Sequence, residues 1–164
     1  MSLNLPARVA SLGLSLPPAP AAAANYDVTV ESQFRLIVSG QLPRGDDGQL
    51  IATGKVGDGV DLDTAKRCAA QCALSVLSAM NAELGGNFGR RFRRLVRVGV
   101  FVASSPGFTD QHLVADGASE IFEKVLGVLG RHARAAVGVA ALPLDAPVEV
   151  EVSVELLDER YESD

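Results

Sequence analysis

A chain of 164 residues with 48% hydrophobic but only 5% aromatic residues, and no Trp, suits one domain built around an aliphatic core. Its formal net charge of −5 argues against sequence-independent nucleic-acid binding, which rests on phosphate neutralisation by Lys and Arg. No apolar run is long enough to cross a bilayer and no basic-then-apolar leader opens the chain, so no membrane partner and a cytoplasmic location are expected.

Residues 1–24 read as an extension. A short apolar-periodic piece from Leu5 to Leu14 precedes Leu16-Pro17-Pro18-Ala19-Pro20 and four alanines, and prolines, which fix φ and lack a donor, suit a linker. The main domain is expected over 25–157, with a tail at 158–164. Tyr26 to Glu31 and Phe34 to Ser39 are strand-like runs parted by Ser32 and Gln33, as in a hairpin. The stretch from Leu42 to Gly48 has turn chemistry and leads to another short strand.

Asp61 or Asp63 caps a helix running to about Leu84, along which Ala65, Ala69, Cys72, Val76 and Met80 recur at helical spacing; Gly85 and Gly86 end it. Leu95 to Val102 then alternates, placing Val96, Val98, Val100 and Val102 on one face and Leu95, Arg97, Gly99 and Phe101 on the other. A second helix is expected from His112 to Leu129, followed by two closing strands. The order ββ(β)αβαββ defines an α+β fold: a two-layer sandwich of a mixed, mainly antiparallel sheet with two helices on one face. The bare face holds Ile37, Leu95 and Phe101, which points to association through it.

Cys68 and Cys72 share a helix face at a spacing that suits reduced core thiols better than a disulfide. A zinc site would have to recruit His112 and His132 from distant segments, so no metal is expected. Both histidines read first as surface or helix-end residues. The cluster Arg90-Arg91-Phe92-Arg93-Arg94 reads as a solvated turn entering a strand and offers too few phosphate contacts for RNA.

The two closing strands are the most informative. From Ala133 to Val139, Arg134 stands among small neighbours; from Val148, Val150, Val152 and Val154 form an apolar face opposite Glu149, Glu151, Ser153 and Glu155. If these strands pair, a guanidinium, a carboxylate and a space left by missing side chains converge.

Tyr26, Val38-Ser39-Gly40-Gln41-Leu42-Pro43, Gly48, Ala133-Arg134, Val139, Leu142-Pro143 and Val148-Glu149-Val150-Glu151 together resemble the RidA/YjgF family, also called the L-PSP endoribonuclease family. The match runs from about Asn25 to Leu156. The resemblance implies a chorismate-mutase-like fold, a homotrimer with three clefts between subunits, and no metal or organic cofactor. It also implies hydrolysis of 2-imino and enamine acids to 2-keto acids and ammonia. In that reading Arg134 grips the substrate carboxylate through its planar fork and Glu149 positions or activates water. Tyr26, Ser39 and Gly40 line the cleft. His112 or Gln111 falls near the place of a usual asparagine, within a longer segment between Phe108 and Phe122. The deaminases commonly have Ser and Cys after the arginine, where this chain has Ala135 and Ala136; at Ala136 only the backbone is left to bind. A non-catalytic trimer that binds small carboxylates or keto acids is the alternative from another class, and an endoribonuclease a third.

Overall fold

The computed structural model describes residues 3–22 and 24–157; the tail expected at 158–164 lies outside them. The elements are α1 (Leu5–Ser11), β1 (Thr29–Ser32), β2 (Arg35–Gln41), β3 (Lys55–Val56), β4 (Gly59–Val60), α2 (Leu62–Leu84), α3 (Phe88–Arg91), β5 (Phe92–Ala103), α4 (Gln111–Leu126), β6 (Ala133–Val139) and β7 (Val148–Leu156). Five strands form one sheet in the order β1-β2-β7-β5-β6, with β5 and β6 parallel and every other neighbouring pair antiparallel. Helices α2 and α4 pack on one another and on one face of this sheet, so the fold is the expected α+β sandwich.

Local chemistry sets the helix ends. Asp61 caps α2 by accepting from the Thr64 amide at 2.7 Å, and those Thr64 hydrogen bonds hold its carboxyl below the ordinary value. Gly85, at φ +54°, lets the chain leave the helix. Gly127, at φ +63°, ends α4 at Leu126 rather than at Leu129, and a single 3₁₀ turn follows.

The core lies between the helices and the valine faces of β5 and β7. Val148, Val150, Val152 and Val154 are all buried, alongside Val98, Val100 and Val102. Leu95 departs from the expected register. An extra residue, Val96, bulges β5 between Leu95 and Arg97, so Leu95 pairs with Val154 and is buried on the helix side instead of lying on the bare face. The bare face keeps Ile37 and Phe101 and adds Val137; Ile37 and Val137 are nearly half exposed.

The N-terminal piece is also more than an appendage. Asn4 caps α1, Leu5 and Val9 are buried in the common core, and Arg8 donates to the carbonyls of Lys124 and Val125 at the end of α4. Cys68 and Cys72 are free and buried; burial pushes the Cys68 thiol up to about 11 and raises the Cys72 thiol well above its ordinary value, so both stay protonated as packing residues.

Gly117 of α4 lies against the backbone of α2, where an added Cβ would sit 2.9 Å from the Lys66 carbonyl carbon and 3.1 Å from its Cα. Alanine ordinarily gains ~1 kcal/mol over glycine inside a helix. Here overpacking reverses the sign, and Gly117→Ala is expected to lose ~1–3 kcal/mol in urea denaturation. A stabilised variant would show that the helices can separate freely.

Candidate functional site

Strand β7 sits centrally in the sheet with its valines turned to the helices, which turns Glu149 to the opposite face. There Glu149 meets Gly40. Between Val38 and Gln41 the β2–β7 register slips by one residue, and this bulge at Ser39 and Gly40 opens the space the carboxylate occupies. A Cβ at Gly40 would overlap the Glu149 carboxylate, which explains glycine at that position. Ser39 is held by its amide and its hydroxyl, which both donate to the Val28 carbonyl, at 2.9 and 3.0 Å.

Glu149 is half-buried and makes no hydrogen bond or ion pair among the described residues. Desolvation, and then the nearby Glu151 charge, raise its pKa above the ordinary value. It lines a cleft of about 520 Å³ together with Tyr26, Gly40, Leu42, Arg44 and Leu144. Arg44, which the sequence presents only as part of a turn, is the cation of this cleft; its Nη1 donates to the Gly48 carbonyl at 2.7 Å.

Arg134 lies elsewhere. Strands β6 and β7 do not pair: β5 runs between them, and Arg134 is opposite Val98 whereas Glu149 is opposite Phe101. Paired residues share a face, so Arg134 turns with Val98 toward the helices and Glu149 with Phe101 away from them. The convergence expected from direct pairing therefore does not occur within one chain.

On the helix side Arg134 is built into a polar network. Its Nη1 donates to Asp116 Oδ1 at 2.9 Å and to Ser119 Oγ at 3.0 Å, and its Nη2 to the His112 carbonyl at 3.2 Å. His112 thus contributes its backbone, while the residue is exposed. Beyond Ser119, His132 Nε2 lies 3.0 Å from the hydroxyl, and Nδ1 lies 2.6 Å from the Gly130 carbonyl. A carbonyl only accepts, so Nδ1 holds the proton; the Ser119 hydroxyl donates to Nε2 and accepts from Arg134. Burial lowers the His132 pKa, which suits this neutral tautomer. Nε–H of Arg134 and one Nη2 hydrogen have no partner among the described residues, a pair of donors that suits a carboxylate.

Tyr26, Gly40 and Glu149 share the cleft, with Ser39 in the bulge beside it. Arg134, Ala136 and the His112 carbonyl belong to the other face. Asp116 and Ser119 escaped the sequence reading, although their three-residue spacing puts both on one side of α4; the missing fact was that the crossover between parallel β5 and β6 lays that side against Arg134. Leu144 and Asp145 at the cleft rim are both left-handed at φ +59°, a conformation that costs roughly 1–2 kcal/mol for such a residue. No group of three metal-ligating side chains is gathered among the described residues, and no helix there is long and apolar enough to cross a membrane.

This bulged sheet, with an acid of its open face set against the bulge, belongs to a known class. The endoribonuclease L-PSP family model matches residues 17–156, and the chain belongs to that family, the RidA/YjgF family. It is 47% identical to Protein TCP17 of Trypanosoma cruzi, over 95% of this chain and 99% of that one. A crystal structure of a protein of unknown function from Agrobacterium tumefaciens is 44% identical, with a TM-score of 0.85 over 93% of this chain and 92% of that chain. The YjgF gene product of Escherichia coli is 25% identical, with a TM-score of 0.59 over 84% and 92%. The fold is thus common to the family, but the chain follows the Agrobacterium protein much more closely than it follows YjgF.

Two opposite pH effects follow. His132 has a folded-state pKa below its unfolded value of ~6.5. The unfolded chain binds its proton first, so this contribution to stability is complete above pH ~6.5 and is lost as pH falls through the folded pKa. Urea midpoints should therefore drop below pH ~6.5, and less so in His132→Gln. Glu149 has a raised folded pKa, so it favours folding while protonated and costs stability once pH passes that value. Glu149→Gln is expected to be at least as stable as the parent at pH 7.5; a clear loss would mean the carboxylate is structural.

Proposed function

We propose that the protein hydrolyses 2-imino acids and their enamine tautomers to 2-keto acids and ammonia, in clefts completed by a neighbouring copy of the chain. The observation that carries this is Glu149, a half-buried carboxyl without a counter-ion among the described residues, with a raised pKa, facing a mainly apolar cleft. A raised pKa makes a carboxyl a better proton acceptor than an ordinary carboxylate while leaving it able to return the proton.

Water adds to the carbon of the imine, which enters protonated on nitrogen, while Glu149 takes a proton from that water and a neutral carbinolamine forms. Glu149 returns this proton to the amino group; the C–N bond then breaks, ammonia leaves, the hydroxyl gives its proton to the Glu149 carboxylate as the keto group forms, and Glu149 releases that proton to solvent. The Tyr26 side chain and the bulged Ser39–Gly40 backbone shape the pocket around this centre. The substrate carboxylate needs a cation, and Arg134 offers its two unpaired donors. Because Arg134 and Glu149 occupy opposite faces of one sheet, the reading requires Arg134 from a second copy. RidA family proteins are typically homotrimers, and the exposed Ile37 and Val137 suit packing of sheet on sheet.

A second reading, a trimer that binds small carboxylates without turning them over, is favoured by Ala135 and Ala136, which bring neither hydroxyl nor thiol to the strand beside Arg134. An endoribonuclease is supported least, since no histidine lines the cleft among the described residues.

The test generates 2-iminopropionate and longer-chain imino acids enzymatically and follows keto-acid release. Glu149→Gln should lower kcat/KM by ~10²–10⁴-fold, the usual contribution of general acid–base catalysis. Arg134→Ala should act mainly through KM. No rate above buffer with the parent protein, together with keto-acid binding that Arg134→Ala abolishes, would select the second reading.

A further inference from the structure

The N-terminal segment reaches the cleft. Pro17, Pro18, Ala19, Pro20 and Ala21 form one wall of it, opposite elements that the family motif supplies. This wall is fixed rather than trailing. The Ser78 hydroxyl on α2 donates to the Pro17 carbonyl at 2.7 Å in a buried contact, and Leu12, Leu14 and Leu16 pack against the core. Three prolines in four residues also leave few conformations to lose when a ligand settles against them.

A second feature points the same way. Leu144 stands 64% exposed on the cleft rim in a left-handed conformation, with its neighbour Asp145 left-handed too. The turn is held by the Ala146 amide donating to the Pro143 carbonyl at 3.1 Å and the Gly54 amide donating to the Asp145 carbonyl at 2.8 Å. Asparagine or glycine would suit this backbone better. A branched apolar side chain there, facing solvent, is explained by something apolar that comes to lie on it.

We infer that the wall formed by Pro17–Ala21 and the rim residue Leu144 make this cleft selective for 2-imino and 2-keto acids with large apolar side chains, such as branched aliphatic or aromatic ones. The inference rests on the cleft assignment made above and adds the substrate class to it. At about 520 Å³ the space lies in the range that holds a whole drug-sized ligand, several times what a three-carbon acid fills. A small acid would leave apolar wall wetted on both sides. A leucine- or phenylalanine-derived acid buries its side chain on that wall while its functional end reaches Glu149, and each buried methylene tightens binding several-fold.

The test uses the full chain and stable 2-keto acids, so that it does not depend on turnover. Calorimetric titration with pyruvate, 4-methyl-2-oxopentanoate and phenylpyruvate should give at least ~10-fold tighter binding for the two larger acids. In Leu144→Asn, which fits the left-handed backbone, combined with Pro20→Ser, this ratio should fall to less than about threefold. Equal affinities across the series overturn the inference, as does a ratio that the double variant leaves unchanged. If no ligand binds at all, the cleft assignment fails as well. Graded binding without any hydrolysis of the corresponding imino acids supports the selectivity and rejects the deaminase reading, so the two failures are distinguishable.

Discussion

Strand β7 has a side-chain period of two and runs between β2 and β5, and most of the molecule depends on that constraint. Four valines on one side of it close the core against α2 and α4, so the acids between them have no choice but the other side. Glu149 is the acid that meets the β2 bulge. Shifting the register by one residue would bury the acids and expose the valines together, and the core cannot tolerate that. The position of the proposed acid/base group is therefore held by the whole apolar face behind it.

The same periodicity separates the two charges. Arg134 is on the edge strand β6 and faces α4, where Asp116, Ser119 and the His112 carbonyl orient it; Glu149 is two strands away and faces outward. A lone chain thus holds an oriented cation and a desolvated acid that do not meet. In a symmetric assembly one copy's β6 edge can serve a neighbour's cleft, which gives the exposed apolar patches on the bare sheet face a structural purpose.

The N-terminal segment does more than connect. Its proline-rich stretch looks like a connector because prolines break hydrogen-bonded structure, yet here the same stiffness makes a wall. The Arg8 bonds to the Lys124 and Val125 carbonyls of α4 and the Ser78 bond from α2 to Pro17 tie the segment to both helices. The left-handed Leu144 on the cleft rim is a local cost met by the surrounding turn, and such costs persist where a surface has a use.

The sequence by itself determined the elements and their faces. Asp61 and Gly85 mark the ends of α2, the valine alternation marks β7, and the order of the motif residues from Tyr26 to Glu149 fixes the family. The helix ends and the valine alternation are local signals, carried by residues within a turn or two of one another, and the family motif is a sum of such short pieces in a fixed order. Only the tertiary structure decided that β5 separates Arg134 from Glu149, that Val96 bulges and sends Leu95 inward, and that Asp116 and Ser119 grip the arginine. It also decided that Pro17–Ala21 return to the cleft. Each of these is a long-range pairing whose choice rests on burying all apolar faces at once, and no short stretch of sequence contains that sum.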